Sequence, residues 1–140
     1  VDLDAFVGGY IDCALWATND NGYLGEGHPD NQLDENGYCG RDDGGDPLED
    51  NFGPDDLAPE ALAEVKKDCE NFLGYCADLG ISLDEWSAEE AGHDFFLTRN
   101  GHGTGFWDRG RDAGELLSKA AKTFGSQDFY VGDDGKVYVS

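Results

Sequence analysis

Between Asn19 and Gly53 the sequence loses all apolar periodicity. These 35 residues are mostly Gly, Asp, Asn and Pro, so an ordered core has to be assembled from the segments on either side. A connection of that length inside a compact domain is uncommon and marks either function or disorder. Tyr23, Leu24, Leu33, Tyr38, Leu48 and Phe52 are scattered along it as anchors, and an irregular loop pinned to the body at those points is expected.

The flanks carry a clear helical period. Leu3, Phe6, Val7, Tyr10, Ile11, Ala14 and Leu15 recur at three- and four-residue steps, which predicts a helix over 2–17 with Asp2 and Asp4 at its positive end. Gly8 and Gly9 cost that helix about 1 kcal/mol each relative to alanine, so another backbone is expected to pack closely there. Pro59 and Gly80 bracket a second helix over 59–79, whose apolar stripe is Leu62, Val65, Cys69, Phe72, Leu73, Cys76 and Leu79. Ser87-Ala-Glu-Glu90 is a capping-box pattern that opens a third helix ending at Leu97 or Thr98. A fourth runs over about 112–124 with Leu116, Leu117, Ala120, Ala121 and Phe124 inward, and two short β-rich runs around Gly132-Asp-Asp-Gly135 predict a hairpin. The expected fold is thus a single α+β, mostly helical domain over 1–140, with four helices, a long acidic loop (19–53) and a C-terminal β-hairpin.

Charge narrows the function classes. The formal net charge is −22, and it is uneven: residues 1–65 hold 17 acids against Arg41 alone, while residues 66–140 hold 14 acids against 8 bases. Spread over the surface expected for this mass, that is about one net charge per 320 Å². B-DNA carries about one per 110 Å², so imitation of DNA is conceivable only on the N-terminal half. Direct nucleic-acid binding is not expected, because phosphate repulsion would have to be overcome with nine basic residues. The longest apolar runs, Phe95-Phe96-Leu97 and Ala14-Leu15-Trp16-Ala17, fall far short of the roughly 20 residues a membrane-spanning helix needs. Cys13, Cys39, Cys69 and Cys76 form no zinc or disulfide-scaffold pattern, and with no basic-then-apolar leader they point to reduced thiols in a host-cell cytoplasm.

One segment concentrates chemistry. Gly92-His-Asp-Phe-Phe-Leu-Thr-Arg-Asn-Gly-His-Gly-Thr-Gly-Phe-Trp-Asp-Arg-Gly110 packs two histidines, two arginines, four aromatics and five glycines into nineteen residues. It closely resembles the signature of a family of small uncharacterised bacteriophage-encoded proteins, which carry a stretch like AGHDFWLTRNGHGAGFWDRG. The resemblance extends more weakly through Tyr10-Ile-Asp-Cys-Ala-Leu-Trp16, Ala58-Pro-Glu-Ala-Leu62 and Tyr130-Val-Gly-Asp-Asp-Gly-Lys136. It implies a phage origin and supplies no activity.

From the residues alone, two uses of the motif compete. His93, Arg99, His102 and Asp108 could line a glycine-walled pocket as a small enzyme site, with His102 and Asp108 as an acid/base pair. Alternatively Asp94 and Asp108 pair with Arg99 or Arg109, while Phe106 and Trp107 fill the core between the third and fourth helices. The spacing of His93, His102, Asp94 and Asp108 matches no metal pattern, the glycines lack a P-loop lysine, and the acidic loop fails the EF-hand register. No metal or cofactor is expected. The leading expectation is a non-catalytic phage protein that inhibits a basic host protein, such as a nucleic-acid-binding or defence factor, by presenting carboxylates in place of phosphates. Its contact residues would be Asp42, Asp43, Asp46, Glu49 and Asp50 in the loop, with His102 and Trp107 in the motif. A virion or structural accessory protein is the remaining alternative.

Overall fold

The Asp2 carboxylate accepts the backbone N–H groups of Asp4 and Ala5 and so starts α1 (Leu3–Ala17). These details come from a computed structural model, which describes residues 1–31, 45–102 and 104–140. Pro59 opens α2 (Pro59–Leu79) and Gly80 closes it at a φ of 69°. Ser87 and Glu90 exchange side-chain and backbone bonds to open α3 (Ala88–Arg99). After a 3-10 turn at Phe106–Arg109 comes α4 (Gly114–Lys122), then β1 (Phe129–Val131) and β2 (Val137–Val139). The two strands pair antiparallel with Tyr130 opposite Tyr138.

α1 and α3 cross with their backbones nearly touching. A Cβ on Gly9 would run into the Glu89 backbone, and one on Gly92 would run into the Phe6 carbonyl. This close approach brings Phe6 and Tyr10 of α1 against Phe95 and Phe96 of α3. Phe72 of α2 then stacks on Phe95 at 4.2 Å between ring centroids, and Phe106 also stacks on Phe72 at 5.7 Å. The core is therefore an aromatic pile at the α1–α3 crossing, closed by α2 on one side. Cys13, Cys69 and Cys76 are free and buried in it; burial pushes the thiols of Cys13 and Cys69 up to about 12 and that of Cys76 to about 11. Cys39 lies outside the described residues.

The long loop is clasped at its base. Asp20 N–H donates to the Asp46 carbonyl at 2.9 Å, Leu48 N–H donates to the Thr18 carbonyl at 2.8 Å, and the buried Asp20 carboxylate accepts Asp46 N–H at 3.0 Å. Leu48 is fully buried, Leu24 is buried, and Tyr23 and Phe52 pack partly against the core. Leu33 and Tyr38 lie outside the described residues. The near arm also rests on the hairpin turn, where Glu26 N–H donates to the Asp133 carbonyl at 2.8 Å. The hairpin in turn is tied to the start of α2 through Ala58 N–H and the Val137 carbonyl.

Several expectations need correction. α4 is shorter than 112–124, because Gly114 packs against the Phe106 carbonyl and residues 110–113 are used to turn out of the 3-10 segment. Leu116 is 54% exposed and Leu79 55% exposed, since the buried side of α4 is Leu117, Ala120 and Ala121, and the buried positions of α2 end at Cys76. Gly8 meets nothing within 4 Å, so of the glycine pair only Gly9 serves close packing.

That difference is directly testable by thermal unfolding. Gly9→Ala and Gly92→Ala should each destabilise the chain by about 2 to 3 kcal/mol through overpacking at the crossing. Gly8→Ala, with open space around it, should stabilise by up to about 1 kcal/mol through helix propensity. Equal effects at Gly8 and Gly9 would contradict the crossing geometry.

Candidate functional site

The motif is first a pair of structural staples. Asp94, on the buried side of α3, accepts three N–H bonds: Trp86 Nε1 at 2.8 Å, Arg109 Nε at 2.5 Å and Arg109 Nη2 at 3.0 Å. The two-pronged arginine contact pins the 3-10 turn Phe106–Arg109 back onto the helix. Glu90 accepts Arg109 Nη1 at 3.1 Å and Arg111 Nη1 at 3.3 Å, and the Arg111 guanidinium lies 5.0 Å from the centre of the Trp86 ring. The Arg111 bond, with the Ser87 backbone N–H, holds the Glu90 carboxyl below its usual range. A group depressed on folding stabilises fully above its unfolded range, and that contribution fades as pH falls through the folded value. At the turn itself, Thr98 Oγ1 accepts Phe106 N–H, and Gly105 (φ 127°) sits where a side chain would strike Thr98.

Arg99 is the second staple, and its side chain is only 3% exposed. Its Nε donates to the Gly125 carbonyl (2.8 Å) and Nη2 to the Phe124 carbonyl (3.2 Å); Nη1 donates to Asp68 Oδ2 (2.9 Å) and the Tyr10 hydroxyl (3.2 Å). Tyr10 Oη donates onward to Gln127 Oε1 at 2.6 Å, and burial pushes its pKa well up. The guanidinium also lies over the Phe95 and Phe124 rings at 5.2 and 5.8 Å. One side chain thus joins α1, α2, α3 and the exit from α4. Its carboxylate partner is Asp68, not Asp94 or Asp108 as the sequence suggested.

What remains of the motif is exposed. Trp107 is 50% exposed; Phe106 and Trp86, not Trp107, fill the core beside α3. His93, half-buried, stacks on the exposed Trp16 and lines a cavity of about 260 Å³ with Asp108, Arg109 and Thr104. His102 lies instead in a neighbouring cavity of about 260 Å³ with Trp107, Thr104 and Lys122, and in a third with Asn100 and Phe129. Arg99 forms the floor of a fourth, on the α2 side. Of the quartet, His93 and Asp108 share one cavity, while His102 and Arg99 line others and Arg99 is committed to Asp68. Among the described residues no group of three or more His, Cys, Asp or Glu could hold a metal ion.

The acidic residues are arranged differently. Asp46, Glu49 and Asp50 are exposed on and beside the turn Leu48–Asp50, whereas Asp42 and Asp43 lie outside the described residues. Asp55, Asp56, Glu60 and Glu64 continue the exposed series into α2. Glu60, Glu64 and Asp68 line the fourth cavity, of about 610 Å³, together with Tyr130 and Tyr138 of the hairpin. By contrast Arg99, Arg109 and Arg111 are directed onto carboxylates of the chain itself. Asp68, Glu60, Glu64, Tyr130 and Tyr138 were not singled out from sequence as site residues, and Glu90 only as a capping residue; the i, i+4 spacing of Glu60, Glu64 and Asp68 was the available signal.

No family model, curated protein or solved structure matches the chain.

Trp107 and Asp94 separate the exposed from the structural part of the motif. Trp107→Ala should cost roughly 1 kcal/mol or less, as a surface change does. Asp94→Ala strands the Arg109 guanidinium and the Trp86 N–H and should cost about 3 kcal/mol or more. Urea unfolding measures both, and a larger loss for Trp107→Ala would refute the assignment.

Proposed function

We propose that this chain is a non-catalytic binding protein whose acidic surface engages a basic, nucleic-acid-binding partner, with carboxylates occupying the places of phosphates. One observation carries the reading: the described arginines turn inward onto Asp68, Asp94 and Glu90, while Asp46, Glu49, Asp50, Asp55, Asp56, Glu60 and Glu64 stay exposed. The loop base and the first half of α2 thus contribute seven exposed carboxylates to a chain whose net charge is −22. Such a field speeds encounter with a basic groove and disfavours acidic partners. In the bacteriophage setting that the motif resemblance implies, the partner is a host factor such as a defence nuclease. His93 and Asp108 share a cavity, but His102 and Arg99 line others, which weighs against an enzyme site built on all four.

The test is competition and screening. Proteins captured from host lysate on the immobilised chain at low salt should be displaced by duplex DNA, and also by raised salt, because screening at physiological ionic strength acts over about 8 Å. Replacing Asp42, Asp43, Asp46, Glu49 and Asp50 by their amides should slow association more than it speeds dissociation. A partner held unchanged through raised salt and indifferent to DNA would contradict the proposal.

A further inference from the structure

The hairpin has two unlike faces. Phe129, Val131 and Val137 are buried, whereas Tyr130, opposite Tyr138 in the register, stands 49% exposed. The two tyrosine rings stack with centroids 5.9 Å apart and planes 21° from parallel. Tyr138 is held in place: its hydroxyl donates to Asp134 at 2.6 Å, and its ring lies where a side chain on Gly132 would be. This aromatic face forms one wall of the 610 Å³ cavity, and the first turns of α2 supply Glu60 and Glu64 to the same cavity. Glu60 is near enough to Tyr138 to raise the pKa of its hydroxyl, although the Asp134 bond raises it more. Neither Glu60 nor Glu64 forms an ion pair among the described residues, and Lys66 and Lys67 do not line the cavity.

We propose that this groove receives an arginine side chain from a basic polypeptide partner, its guanidinium lying on the Tyr130–Tyr138 stack and donating to Glu60 and Glu64. The chemistry is that of a planar cation against an aromatic face with a carboxylate at its edge. The chain already uses it on the floor of the same cavity, where Arg99 lies over Phe95 and Phe124 and donates to Asp68. Asp68 is thereby neutralised, which leaves Glu60 and Glu64 as the charges that an incoming arginine meets. Both a flat aromatic wall and an unpaired carboxylate pair favour arginine over lysine, whose ammonium is more strongly hydrated and cannot stack. The groove rests on the acidic-surface reading above and specifies where on that surface, and by which residue type, a partner is held.

Binding of fluorescently labelled hexa-arginine and hexa-lysine, followed by anisotropy at low salt, tests it. The parent should bind hexa-arginine more tightly by roughly three- to fivefold. Tyr130→Ser should abolish that preference while Tyr130→Phe keeps it, with unchanged melting temperatures showing that both variants fold. Glu60→Gln with Glu64→Gln should weaken hexa-arginine more than Asp46→Asn with Glu49→Gln, although each pair removes two charges. Equal affinity for the two peptides, insensitive to Tyr130→Ser, would overturn the groove and leave only a diffuse attraction. Failure of the parent to bind either peptide would overturn the acidic-surface reading itself, and the groove with it.

Discussion

Burying a guanidinium is costly unless its donors are satisfied, and the architecture is organised around meeting that condition for Arg99. Its donors meet the Asp68 carboxylate, the Tyr10 hydroxyl and the carbonyls of Phe124 and Gly125, and these acceptors come from three different parts of the chain. Each contact fixes a relation between elements. Asp68 sets the rotation of α2, Tyr10 sets that of α1, and the two carbonyls end α4 by drawing its last residues toward α3. The aromatic pile beneath supplies a surface on which the planar cation can lie. Removal of this one group would leave the partly buried Asp68 carboxylate and the buried Tyr10 phenol linked only through Gln127.

Arg109 repeats the device at the surface with Asp94, and the repetition has a consequence for function. Among the described residues Arg99, Arg109 and Arg111 bind the chain's own acids, while Lys66, Lys67, Lys119, Lys122 and Lys136 stay exposed. The exposed carboxylates of the loop base and of α2 outnumber those lysines. In this way the internal packing and the external charge have a common origin. The dense polar chemistry of residues 92–110 is explained mostly by the fold, which moves attention from the motif to the acidic face beside the hairpin.

Much of the fold could be read locally. Pro59 and Gly80 gave the limits of α2, the Ser87–Glu90 box gave the start of α3, and the Gly132–Gly135 turn gave the hairpin, because each signal acts within a few residues of the structure it causes. The failures arose where distant residues decide. Nothing local tells which of Trp86 and Trp107 is buried; Trp86 is, because Asp94 and Arg111 receive it on both its edge and its face. Arg99 was expected to find an acid within the motif, yet its partner lies 31 residues earlier, on α2. The candidate groove was hidden for the same reason, since Glu60 and Tyr138 are brought together by the Ala58–Val137 bond that joins the hairpin to α2.

Arg99 and Arg109 of the motif are held by the fold itself. The most direct measurement is hydrogen exchange of the arginine Nε–H groups in the free protein by NMR. The Nε–H of Arg99, given to Gly125, and that of Arg109, given to Asp94, should exchange much more slowly than in a free arginine side chain. Exchange of both at the free side-chain rate would mean that these guanidinium groups are not bound within the chain, and the account would fail.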